Sequence, residues 1–290
     1  MIAPRSAFVD IRGSRRHVLT WGDPAAAPVL MVHGLLDHAY NWDWIASALT
    51  DRHHVVAIDL RGHGDSDWTG RGSYALSNHV IDLADCVHAL GLDRLHLVGH
   101  SMGGHIALRF AATFPEHVRS LCSIEGVELP IIRDQAKAPK PYPVRLREWI
   151  DGQRRDRRRT PRIYADVAEA AARMAAHNPG VDAETIAHLA RHGVTRTVEG
   201  GWRWKYDDAC RNRAPEDAHG VDLDEILAAI ACPTLLAYGG DSWIPEPSAD
   251  RLARIADHRL IRFPGASHWL HHQSRAAFLT ALTDFFETIR

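Results

Sequence analysis

This chain is short of cysteine, of long apolar runs and of net charge, and each shortage closes off a class of protein. Its four cysteines, Cys86, Cys122, Cys210 and Cys232, form no C-x-x-C pair, so neither a zinc site nor a disulfide framework is expected. Cys122 and Cys232 lie in apolar runs and read as core fillers. No apolar stretch approaches the roughly 18 residues that a membrane-spanning helix needs. The first ten residues hold no basic segment followed by an apolar one, so no signal peptide is expected. A formal charge of −2 gives no general attraction to nucleic acid or to a membrane surface. A cytoplasmic, reduced protein is the expectation, acting on a small molecule as a monomer or homodimer.

Abundance is as informative. A chain of 290 residues, 46% hydrophobic and 24% charged, can bury a large core, as one α/β domain or as a core with an insertion. It carries 20 histidines, so no single one is evidence until its position is argued. Nine tryptophans are many for this length. Residues 8–13 and 16–22 alternate as an antiparallel pair. Short buried runs follow at 28–32, 54–59, 95–98 and 121–124, with helical periodicity at 42–49, 77–90 and 103–114. Strands alternating with helices imply a mostly parallel sheet covered on both faces. The alternation stops at about Val127. Prolines 139, 141 and 143, the basic run Arg154–Arg159 and helical segments near 144–152, 163–176, 183–192 and 222–230 fill the gap. It resumes with a strand at 233–238, a helix near 247–256, a strand at 259–263 and a closing helix at 275–289. The expected domains are therefore a core of 1–126 with 232–290, and a helical cap of 127–231 inserted after the sixth strand, over the sheet edge where open α/β sheets bind ligands.

Gly99-His100-Ser101-Met102-Gly103 is the most informative stretch. It joins a buried strand to a helix through a bend that only small flanking residues permit, and the helix N-terminus supplies free N–H donors. These are the requirements of a nucleophilic serine. Around it, His33-Gly34, the segment Asp59 to Ser66, Gly99 to Gly104, Phe114-Pro115-Glu116, Gly239-Gly240-Asp241 and Gly265 to His268 together resemble an α/β-hydrolase with a helical cap, of the serine-hydrolase-like or carboxylesterase branch. The cap resembles that family only through Gly201 to Trp204 and Tyr206-Asp207.

The resemblance implies a triad in the chain order Ser101, Asp241, His268. The His268 imidazole would take the serine proton, and Asp241 would orient it. Glu125, just after the strand at 121–124, is the alternative acid. Backbone N–H groups of Leu35 and Met102 would form the oxyanion hole. His33 is expected to brace its loop, and His100 to be a packing or pocket residue. Trp42, Trp149, Trp202, Trp204 and Trp269 are candidates for an aromatic, apolar substrate pocket. His268, His271 and His272 have the spacing of metal ligands but lack the H-E-x-x-H pattern, so no metal is assigned. The arginine run reads as a solvated cap surface rather than a nucleic-acid site. No cofactor is called for. The implied activity is hydrolysis of a carboxylic ester through an acyl-enzyme. C–C, lactone, amide or thioester cleavage by the same triad stays open, with Trp269 after His268 a single point of similarity to the C–C hydrolases. A small-molecule receptor with slow hydrolysis also stays open. Haloalkane dehalogenases and epoxide hydrolases need a carboxylate where this chain has Ser101.

Overall fold

The apolar runs become strands because both faces of each are buried. Val29 and Met31 enter one core cluster while Leu30 and Val32 enter the other, on opposite sides of the sheet. In the computed structural model, which describes residues 1–69, 74–156, 158–218 and 220–289, the chain runs β1 (Arg5–Ile11), β2 (Ser14–Trp21), β3 (Ala27–Val32), α1 (Asp43–Leu49), β4 (His53–Ile58), α2 (Leu76–Ala89), β5 (Leu95–His100), α3 (Met102–Thr113) and β6 (Val118–Ile124). The inserted segment follows, with α4 (Pro130–Lys137), α5 (Tyr142–Asp156), α6 (Val167–His177), α7 (Ala183–Gly193), β7 (Val194–Arg196) and β8 (Trp202–Trp204). The core resumes with α8 (Gly220–Ala229), β9 (Thr234–Gly239), α9 (Ala249–Leu252), β10 (His258–Phe263), α10 (Leu270–Gln273) and α11 (Arg275–Glu287).

Eight strands form one sheet in the order β1-β2-β4-β3-β5-β6-β9-β10. Only the β1–β2 and β2–β4 pairings are antiparallel. The parallel strands β3, β5, β6 and β9 therefore end on the same edge, and their following loops carry Gly34, Ser101, Glu125 and Asp241 to it. One core cluster unites α2, α3 and α8 on one face, and the other unites α1 and α11 on the opposite face.

Both ends of the inserted segment pack into the main core cluster. Val127, Leu129 and Ile132 belong to the main core cluster. So do Leu223 and Leu227, which stand one helical turn apart on α8 and are fully buried beside α3. Within the inserted segment, α6 starts on Asp166, whose carboxylate accepts from Glu169 N–H at 2.8 Å, while Glu169 reaches back to Ala165 N–H at 2.8 Å. The ribbon β7–β8 was not foreseen from the sequence. It has only three residues a side, turned by Gly200 and Gly201, and its Trp202 bridges to Tyr164. The helix expected near 247–256 is one turn, α9.

Candidate active site

Ser101 stands between β5 and α3 with φ 54° and ψ −119°, a conformation that costs a non-glycine residue about 1–3 kcal/mol. Its N–H donates to Ile124 O at 2.7 Å, and its carbonyl accepts from His105 N–H at 3.0 Å. Glycine is required on either side. A Cβ on Gly99 would lie 2.4 Å from Gly103 O, and one on Gly103 would lie 2.3 Å from Val32 O. The strand and helix approach each other only because both side chains are absent.

His268 lies in the loop after β10, and its Nε2 is 3.0 Å from Ser101 Oγ. Its Nδ1 lies 2.5 Å from Glu125 Oε2. The expectation for Asp241 is thus corrected: the structure places Glu125, not Asp241, on the imidazole. Asp241 is exposed, and among the described residues its carboxylate has no hydrogen-bond or ion-pair partner; only its N–H is engaged, donating to Ala266 O at 2.9 Å. Strands β6 and β9 are neighbours, so a carboxylate can arrive from either strand end. Glu125 turns inward at φ 51° and is completely buried. The β9 turn supplies donors to it instead: Gly239 N–H to Oε1 at 2.8 Å and Ser242 Oγ–H to Oε2 at 2.6 Å.

The loop after β3 lies against the serine. A Cβ on Gly34 would come within 3.4 Å of Ser101 Cβ. Leu35 follows Gly34, and Met102 opens α3, where first-turn N–H groups have no intrahelical acceptor. His33 braces this loop: its Nε2 accepts from Leu60 N–H at 3.0 Å and its Nδ1–H donates to Gly34 O at 2.7 Å. Burial holds its pKa below the usual imidazole value. His100 is more than packing. Its Nε2–H donates to the His268 carbonyl at 2.9 Å, tying the end of β5 to the loop that carries His268. Burial, then the neighbouring His271 and His268, keep it neutral, with its pKa well below the ordinary value. His268, His271 and His272 do not converge on a common point. The Nε2 of His268 meets Ser101, whereas that of His271 donates to Asn41 Oδ1 at 2.8 Å.

A cavity of about 660 Å³ lies between the sheet's loop edge and the inserted segment. Leu35, Leu36 and Asp37 wall it on the core side together with Trp269, next to His268, so it opens beside the serine rather than around it. Of the five candidate tryptophans, Trp204 and Trp269 line this space. Trp42 does not: it is fully buried in the core, 5.2 Å from the His271 ring. Trp202 packs in a small cluster of the inserted segment with Tyr164, and Trp149 lies on α5, its carbonyl holding Asn212. Two tryptophans were missed. Trp68 lines the cavity, and the exposed Trp243 stands 5.1 Å from the His268 ring. The position of Trp243 two residues after Asp241 was the signal available for it. The wall is more charged than an apolar pocket. In the arginine run, Arg154, Arg155, Arg158 and Arg159 are exposed, but Arg159 also faces the cavity; Arg157 lies outside the described residues.

The family described as the alpha/beta hydrolase fold matches this chain over residues 27–274. The chain is 27% identical over 263 residues to the 2-(acetamidomethylene)succinate hydrolase of Mesorhizobium japonicum, covering 89% of this chain and 87% of that one. It is 26% identical over 281 residues to the N-formylmaleamate deformylase of Pseudomonas putida, covering 96% and 95%. Among solved structures, the thioesterase domain of the curacin biosynthetic pathway superposes with a TM-score of 0.86 at 27% identity, covering 97% of this chain and 100% of that one. Among the described residues no helix is long and apolar enough to cross a membrane.

Proposed function

This chain belongs to the α/β-hydrolase fold family and is a hydrolase of that type, and from that premise we propose that it cleaves a carboxylic ester through an acyl-enzyme on Ser101. The observation that carries the proposal is the continuous path from Ser101 Oγ through His268 to Glu125, at 3.0 and 2.5 Å. A serine hydroxyl becomes an effective nucleophile when a base removes its proton during attack. His268 Nε2 takes that proton as Oγ bonds to the carbonyl carbon. Glu125 holds the imidazole through Nδ1–H and stabilises the imidazolium that forms. The carbonyl oxygen, now negative, is met by the N–H groups of Leu35 and Met102. The C–O bond then breaks, and the alcohol leaves with the proton from His268. Water, deprotonated by the same nitrogen, releases the acid and restores Ser101. The scheme calls for no metal and no organic cofactor.

Two relatives favour a second reading. One is named for hydrolysing an acetamido compound and the other for removing a formyl group from nitrogen, so the same groups would cut an acyl C–N bond. Steady-state rates on matched p-nitrophenyl esters and anilides separate the two by leaving group. Ser101→Ala should lower either activity by at least about 10³-fold and abolish labelling by a fluorophosphonate, with an unchanged circular dichroism spectrum. A folded Ser101→Ala protein with wild-type turnover would sink the mechanism.

A further inference from the structure

Arg203 sits on β8, half-buried in the cavity wall, with its guanidinium 5.1 Å from the centre of the Trp68 ring. That ring is itself fixed, since Trp68 Nε1–H donates to Lys205 O at 2.8 Å. Stacking on an aromatic face holds a guanidinium in place and leaves its N–H edge available. Among the described residues Arg203 has no carboxylate partner, and neither have Arg159 and Arg173 on the same wall. Two further arginines there are accounted for: Arg162 by Glu169 at 3.3 Å and Arg211 by Asp208 at 3.4 Å.

The acids of the wall offset only part of this positive charge. Asp207 is held by neutral donors, Tyr74 O–H at 2.7 Å and Ala209 N–H at 3.0 Å, so its position is fixed without pairing with an arginine. Burial raises the Asp37 carboxyl to about 8, so it is mostly uncharged at neutral pH. Asp156, also raised, first by burial and then by Asp208, lies beside Arg159, so Asp156 and Asp207 stand against the three arginines without a carboxylate partner. Toward the serine, Leu35 and Trp269 present apolar surface. The cavity thus has a hydrocarbon-lined end near the nucleophile and a cationic end under the cap.

We propose that this cationic end binds a carboxylate of the substrate, held by Arg203 with Arg159 and Arg173 adding attraction at the mouth. The substrate class is then an acyl compound bearing a carboxylate remote from the bond attacked. This inference rests on the serine-hydrolase reading for which bond is cut, but not for binding itself. A planar carboxylate matches the two-pronged guanidinium edge, whereas a neutral isostere leaves it unpaired.

The test is calorimetric titration of the full chain with glutarate, with dimethyl glutarate and with inorganic phosphate. Glutarate should bind at least about tenfold more tightly than the neutral diester, and Arg203→Gln should weaken glutarate about tenfold with an unchanged circular dichroism spectrum. Arg203→Lys should recover part of that loss. No glutarate binding up to about 10 mM, equal binding of acid and diester, tighter binding of phosphate, or an Arg203→Gln protein like wild type would each overturn the assignment. Fluorophosphonate labelling of Ser101 on the same preparation keeps the two readings apart. Labelling without glutarate binding removes the carboxylate site alone; glutarate binding without labelling supports that site and removes the serine mechanism.

Discussion

The proposed chemistry turns on a single side chain, Glu125. Two carboxylates stand at neighbouring strand ends, and each could complete a triad on paper. The buried one touches the imidazole and accepts two further hydrogen bonds; the exposed one faces solvent without a partner among the described residues. Glu125→Gln should therefore lower kcat by about 10²–10⁴-fold, since the amide favours the wrong imidazole tautomer and cannot stabilise the imidazolium. Asp241→Asn should stay within about twofold of wild type, because an exposed, unpaired carboxylate is worth little. Ester hydrolysis by both variants, at equal folded fraction, checks the pair. The reverse ranking would restore Asp241 as the acid.

At the scale of elements, the bend at Ser101 is a contact between backbones. The glycines of the sequence motif prove to be places where β3, β5 and α3 nearly touch. Gly103→Ala would drive a methyl group against Val32 O and His33 O, neither of which is a movable side chain. Overpacking of this kind costs about 1–3 kcal/mol or more, and it would push α3 off the loop that carries Leu35. Urea denaturation should show that loss, with slower fluorophosphonate labelling of the remaining folded protein. A variant with the wild-type midpoint and labelling rate would show that the approach is looser. The inserted segment meets the core through polar contacts. His38 Nε2–H donates to Leu189 O at 2.9 Å, and Lys205 pairs with Asp65 at 2.8 Å. None of these pairings has a local sequence signal, because the partners lie more than 100 residues apart.

The abundance of histidine becomes a property of the whole molecule. Burial lowers His38, His63 and His105 to about 3 each, so the fold holds them neutral where an unfolded chain would protonate them below about 6.5. Stability from these groups is complete above that value and is lost as pH falls toward 3. Asp37 works in the opposite sense. Raised to about 8, it keeps a proton that the unfolded chain releases, so its contribution weakens as pH rises from about 4 to 8. Asp59 is held at about 2: burial opposes this, but the hydrogen bond from His17 and the surrounding histidines prevail, and its contribution fades only below about 4. Between pH 7 and 5 the three histidines outweigh Asp37. The unfolding free energy from urea titrations should fall over that interval, by up to about 1.4 kcal/mol per pH unit for each net proton taken up. A flat profile there would mean that these imidazoles are solvated.

Much of this protein was legible in its sequence, for reasons that are local. Continuous apolar runs separated by helical periods can bury both faces only in a sheet covered on each side. A serine flanked by glycines at a strand–helix junction has few conformations open to it. His268, in the loop after the last strand, could be matched to Ser101 through a family resemblance spanning the core. What tertiary structure alone decided was where separate strand ends and the cap meet. The choice of Glu125 over Asp241 depends on which side chain turns inward between two adjacent strands. The burial of Trp42 and the exposure of Trp204 to the cavity depend on packing partners far away in the chain. The charged wall is assembled from Trp68, Arg159, Arg173 and Arg203, which no local pattern relates. Secondary structure and the strained turn at Ser101 are set by neighbours in sequence; the lining of the cavity is set by neighbours in space.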